Sequence, residues 1–318
     1  LYKGSNRPAA IAALKNLASS APDMTEKSRA LFFLSKLYKK MNQPEEAQKY
    51  LEEAANNDFF SYHALAAHYE LGRPLAPITT ILSSPTTSFK FNPEMSFLAD
   101  KDLRMFKALH QNGEYMMLNR TCFAFDKDWA DCANMGIYLA EKSAYYNMLH
   151  FSFSYVNDAH KRDLFIRYSH LMFPTPHIEK ATEMSEKTGT PVSLILAIIK
   201  QESSLYPYAV SRAPAYGLMQ LIPALAKSLA AKYNVKGYSK AEDLFDADLN
   251  MTLGTYELTD QIKLQKGQLT RVGIAYNAGP GRLKQWLAKP HSSDIFEFIE
   301  DIPYDETKNY VKIGARNM

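Results

Sequence analysis

Apolar residues recur at three- and four-residue spacing from one end of this chain to the other, and the Val, Ile and Thr alternation that marks strands is nearly absent. The pattern predicts an all-α protein. Ala30, Leu31, Leu34, Leu37, Tyr38 and Met41 fall on one helical face. Asn42 and Gln43 then interrupt the run, and Pro44 can open the next helix in its first turn. Ala47, Tyr50, Leu51 and Ala54 mark the apolar face of that second helix. Flanking helices are predicted over about 8–20 and 58–71, the latter from Tyr62, Leu65, Ala66 and Tyr69. Between Gly72 and Pro93 the residues turn to Pro, Ser and Thr, a loop signature and a first boundary. Phe173, Pro174, Thr175 and Pro176 set a second. The expected organisation is a helical-repeat arm over 1–76, a helical linker over 77–175 and a compact domain over 176–318.

Leu31, Leu34, Tyr38, Ala47, Leu51 and Ala54 have a spacing that resembles a tetratricopeptide hairpin, with Ser35 in the small position usually held by Gly. One such hairpin cannot bury both faces, so the flanking helices should stack on it in a superhelical arm. At 318 residues the chain is too long for one core, and 46% hydrophobic with 22% charged residues excludes a disordered polymer. Thirty-seven basic against 34 acidic side chains leave +3, which argues against a nucleic-acid partner. The longest apolar stretch, Val192 to Ile199 interrupted by Ser193, falls far short of the ~20 residues of a membrane span. Leu1 opens the chain without a charged-then-apolar leader, which fits a targeting segment removed earlier. On one straight helix Cys122 and Cys132 would lie about 15 Å apart, so two unpaired thiols are slightly preferred. The eight histidines include no H-E-x-x-H pair, and no metal or cofactor site is expected. Tyrosine is abundant, 20 residues, and suits half-wet surfaces, sugar-binding grooves among them.

Chemistry concentrates in the last third. Thr190 and Pro191 read as a cap and a first-turn proline for a helix through Val192, Leu194, Ile195, Ile198 and Ile199. Continuing that apolar stripe by three and four residues brings the next position to Glu202. Most glutamates near helix ends turn into solvent. A carboxyl at the edge of an apolar core would instead have its charged form disfavoured and hold a proton near neutral pH, as a general acid must.

Gln201, Glu202, Ser203, then Ser211, then Gly217, Leu218, Met219, Gln220, and then Ala275, Tyr276, Asn277, Ala278, Gly279 form an ordered set. A fourth string runs Glu300, Asp301, Ile302, Pro303, Tyr304, then Glu306, Thr307, Lys308, then Tyr310, Val311. Together, across 192–311, they resemble the motifs of soluble lytic transglycosylases, whose catalytic domain is goose-lysozyme-like and follows a helical superhelix. Pro214 departs from the family's usual Gly and removes a backbone donor there. The resemblance implies a periplasmic enzyme without cofactor, acting on peptidoglycan glycan strands, with cell-wall proteins as candidate partners. It implies Glu202 as sole acid/base, with the sugar's acetamido group stabilising the anomeric carbon. Ser211, Gln220, Asn277 and the Tyr276 hydroxyl would bind sugar or face the acid/base, with Met219 and Tyr310 also at the site. Glu300 would bind substrate, through an amine of the peptide stem. Several have a plainer reading, Ser211 and Gln220 as cap or turn donors, Met219 and the Tyr276 ring as packing and Asn277 to Gly281 as a helix stop and restart, while Glu300 has a rival role as a hydrolytic base. The rivals to a lytic enzyme are a muramidase that uses water and a wall-binding adaptor without activity.

Overall fold

The computed structural model describes residues 6–58, 60–74, 91–124, 129–150, 158–290 and 292–318. Among them the chain is all-α, and its extended pairing amounts to isolated bridges from Tyr216 to Val210 and to Leu221. It divides into two compact units, one of Leu1–Ser88 with Asn157–Arg167, the other of Phe89–Val156 with Tyr168–Met318. The division after Arg167 coincides with a kink in the helix Asp158–Met172, where Tyr168 leaves helical dihedrals at φ −126° and ψ 29°. By this measure the middle and C-terminal stretches, expected as separate segments meeting at residue 175, cluster together.

In the first unit α1 (Arg7–Ser20), α2 (Met24–Lys40), α3 (Pro44–Asn57) and α4 (Tyr62–Glu70) follow the predicted helices closely. Asp23 caps α2 by accepting from the Glu26 amide at 2.8 Å, and Pro44 opens α3 in its first turn as expected. The apolar face of α2 is wider than its stripe: every residue from Ala30 to Tyr38 is buried, because α1, α3 and α4 all pack on it. Lys36 is carried inside as a consequence. It ion-pairs with Glu70 and lies 5.2 Å from the centre of the Phe32 ring.

The second unit begins with α5 (Asp100–Gln111), α6 (Tyr115–Ala124) and α7 (Trp129–Ser143). The separation of α6 from α7 overturns the straight-helix spacing used for the cysteines: Cys132 is disulfide-bonded, and no cysteine is free among the described residues. Met95, Leu98, Phe106, Leu118, Met135 and Leu139 form a small core here, against which Tyr206 packs from the C-terminal stretch. That stretch continues, after α8 (Asp158–Met172), as α9 (Ile178–Thr188), α10 (Val192–Ser203), α11 (Pro223–Tyr233), a short 3-10 helix (Ala241–Phe245), α12 (Ala247–Leu264), α13 (Leu269–Ala278), α14 (Pro280–Leu287), α15 (Ile295–Glu300) and α16 (Asp305–Asn317). Its larger core joins Ile195, Ile198 and Ile199 of α10 to Met251, Leu253 and Leu258 of α12, with Tyr146 packed against it. Thr190 does not cap α10. Pro191 holds the cap position, and the Thr190 hydroxyl pairs instead with that of Thr259 at 2.8 Å, tying α10 to α12.

Candidate active site

Glu202 lies in the last turn of α10, just past the buried Ile195, Ile198 and Ile199, and is itself half-buried. Helix α10 ends abruptly because Ser204 and Leu205 both adopt left-handed dihedrals, with φ of 49° and 65°. Such conformations cost non-glycine residues energy and cluster at functional sites. Tyr310, buried on α16, donates its hydroxyl to Glu202 Oε1 at 2.6 Å. Burial, helped by the like charge of Glu306 and opposed by the Tyr310 hydrogen bond, pushes the Glu202 carboxyl up to about 7. The Tyr310 phenol is held well above its usual range by burial and by the Glu202 charge, so it remains a neutral donor.

The segment from Leu205 to Ile222 folds back over this helix end, and its fastening is carried by few side chains. Ser203, buried, donates to the Leu218 carbonyl at 2.9 Å. Asn250, fully buried on α12, accepts from the Met219 amide at 2.8 Å and donates to the carbonyls of Tyr216 and Leu244 at 2.8 and 2.9 Å. Gly217 sits between these partners with φ +76°, and a Cβ there would meet Leu244 O at 2.2 Å and Asn250 Nδ2 at 2.3 Å. The Gln220 amide donates to the Gly217 and Ala209 carbonyls at 2.9 and 3.1 Å, and Gln220 too is left-handed, at φ 49°. Ser211 closes a turn across Pro214: its amide donates to the Ala215 carbonyl at 3.1 Å and its hydroxyl accepts from the Ala215 amide at 3.3 Å.

The other predicted residues divide. Tyr276, on α13, donates its hydroxyl to the Met219 carbonyl at 3.0 Å, so the phenol that contacts Glu202 directly is that of Tyr310. The Tyr276 phenol nevertheless senses the Glu202 charge, which with burial holds it well above its usual range. Met219 is fully buried, its side chain packed on Gly254 of α12, so only its backbone is at work here. Asn277 accepts from the Thr307 hydroxyl at 2.7 Å, joining α13 to the first turn of α16, and its amide lies 3.5 Å from Glu306 Oε1. Glu300 is engaged with Lys312, both side chains largely buried, and the carboxylate whose charge bears on Glu202 is Glu306. Two residues were therefore missed as site candidates. Glu306 had a legible signal, since it stands four residues before Tyr310 on one helix face. Asn250 had a weaker one, an amide in the apolar run Leu249 to Leu253, where burial demands hydrogen-bond partners.

A carboxyl that is half protonated near neutral pH, oriented by one phenol and mounted on a rigid helix end, is a proton donor that can become a proton acceptor within one cycle. No group of side chains able to hold a metal ion occurs among the described residues, and no described helix is long and apolar enough to cross a membrane. Fold and site together define an all-α chain whose C-terminal part is lysozyme-like. Residues 179–299 match the family described as Transglycosylase SLT domain. The chain is 35% identical over 143 residues to the soluble lytic murein transglycosylase of Escherichia coli K12, covering 44% of this chain and 22% of that relative. An inactive mutant of lytic transglycosylase Slt from Pseudomonas aeruginosa superposes with a TM-score of 0.78 at 25% identity, over 98% of this chain and 48% of that one. The 70 kDa soluble lytic transglycosylase of Escherichia coli shares the fold, with a TM-score of 0.65 at 19% identity over 99% of this chain and 51% of that one. The C-terminal stretch is thus a transglycosylase SLT domain homologous to soluble lytic murein transglycosylase. The chain spans about half the length of these solved relatives and less than a quarter of the curated one.

Proposed function

We propose that this protein is a lytic transglycosylase that cleaves the β-1,4 bond between N-acetylmuramic acid and N-acetylglucosamine in peptidoglycan, acting in the periplasm. The observation that carries the reading is the Glu202 carboxyl, raised to about 7 and hydrogen-bonded by Tyr310. Protonated Glu202 gives its proton to the glycosidic oxygen as the bond from the anomeric carbon to that oxygen breaks. The acetamido oxygen of the muramic acid covers the anomeric carbon meanwhile. The Glu202 carboxylate then takes the proton of the C6 hydroxyl, whose oxygen bonds to the anomeric carbon, displaces the acetamido oxygen and closes a 1,6-anhydro ring. Glu202 ends protonated, and no water is consumed. Because the closing step is intramolecular, holding the sugar in the reactive conformer is much of the catalysis. In this scheme Gln220, Ser211 and Asn277 shape the surface that receives the sugars, and Tyr276 holds the Met219 backbone beside them.

A muramidase that uses water would want a base facing Glu202 across the bond. Glu300, the expected rival for that role, is occupied by Lys312, which favours the lytic reading. Mass spectrometry of sacculi digested by the protein tests it: anhydro-muropeptides are expected, and reducing-end products throughout would overturn the proposal.

A further inference from the structure

Tyr208 is an exposed aromatic ring that the active-site chemistry leaves unused. It is 61% exposed, and in sequence it follows the helix end that carries Glu202 by a few residues. Its ring is nonetheless fixed in place: Tyr206 lies 5.8 Å away at 69°, and Phe245 lies 5.8 Å away at 55° on its other contact. Tyr206 is held in turn by Tyr145, edge to face at 5.3 Å, so the ring rests on a packed row and not on a mobile loop tip. Val210, 50% exposed, pairs through its backbone with Tyr216, and Tyr216 with Leu221, the neighbour of the 54% exposed Ile222. Tyr208, Val210 and Ile222 carry no charge.

This ridge shares its backbone with the candidate site. The carbonyl of Ala209, between Tyr208 and Val210, accepts from both the Gly217 amide at 2.9 Å and the Gln220 side chain at 3.1 Å. The position of the Tyr208 ring is therefore tied to the same loop that presents Gln220.

We infer that Tyr208 is a stacking platform for one pyranose of a glycan strand, a sugar-binding site beyond those at Glu202 and Gln220. A pyranose has an apolar C–H face and a rim of hydroxyls, which matches a fixed phenol ring that is largely exposed and carries a polar tip. The inference rests on the lytic reading for the identity of the polymer. Its role is to add affinity for longer strands and to set which sugar lies over Glu202.

The test uses the full chain carrying Glu202→Gln, titrated with N-acetylglucosamine oligomers of increasing length. Affinity is expected to rise with length in this parent. Adding Tyr208→Ala should remove about threefold to tenfold of the affinity for the longer oligomers, as loss of one ring contact implies, whereas Tyr208→Phe should keep it. Equal binding by Tyr208→Ala and its parent overturns the platform, as does absence of binding by the parent at every length. A Tyr208→Phe loss as large as that of Tyr208→Ala overturns ring stacking as well. Failure of the lytic reading is separate: it would be read in the wild-type chain, from sacculi that yield no anhydro-muropeptides.

Discussion

Glu202 combines two demands that oppose each other. Burial makes it a usable acid near neutral pH, and the same burial makes its ionised form a burden on the fold. Its carboxyl stands at about 7 in the folded chain against 4.5 ordinarily, so between those values the folded chain holds the extra proton. Stability contributed by protonated Glu202 is complete below 4.5 and is lost as pH rises through 7. Glu202→Gln should abolish bond cleavage and also raise stability at pH 8, by up to about 3 kcal/mol, with little gain at pH 4. Thermal unfolding of both proteins at the two pH values measures this, and an equal effect at both would contradict the assigned carboxyl. In the wild type kcat/KM should fall tenfold per pH unit above about 7 as the acid is lost. Tyr310→Phe removes the hydrogen bond that lowers the Glu202 carboxyl, so the alkaline limb of that profile should move to higher pH. A loss of packing alone would lower the whole profile and leave the limb where it was.

At the scale of elements, the site depends on how α10, α12, α13 and α16 clamp one irregular segment. Asn250 is the strongest single fastening, because one amide satisfies backbone groups of Tyr216, Met219 and Leu244 at once. Asn250→Ala would strand those groups in the interior, and a cost of about 2–4 kcal/mol is expected from urea unfolding. Asn250→Asp should do no better, since it keeps the acceptor, loses the donors and buries a charge. These losses explain what was and was not legible beforehand. The helix carrying Glu202 followed from an apolar stripe, which is local periodicity. The partner of Glu202 did not, because Tyr310 reaches it across 108 residues of chain. Thr190 misled for the same reason: its local chemistry suits a cap, and a distant hydroxyl on Thr259 took it.

For the whole molecule, the middle and C-terminal stretches of the second unit share packing through Tyr206 and Tyr146. Residues 176–318 alone should therefore melt lower than residues 89–318, by roughly 5–10 °C if two aromatic side chains lose their cover. Calorimetry of the two chains decides this, and equal melting would mean that the shared packing contributes nothing. Deleting 1–76 should leave activity on short soluble glycans, measured as anhydro-product release, if the arm serves only to bring long strands to the site. The sequence by itself determined the helical class, the N-terminal helices α1 to α4 and the place of Glu202 at the end of an apolar helix, because periodicity, prolines and an interrupted apolar stripe act over a few residues. Tertiary structure decided which phenol touches Glu202, that Glu306 and not Glu300 bears on it, that Met219 turns inward, and that Asn250 holds the loop. Each of those depends on contacts between residues far apart in the chain, where desolvation and hydrogen-bond satisfaction choose among partners that local pattern leaves equivalent.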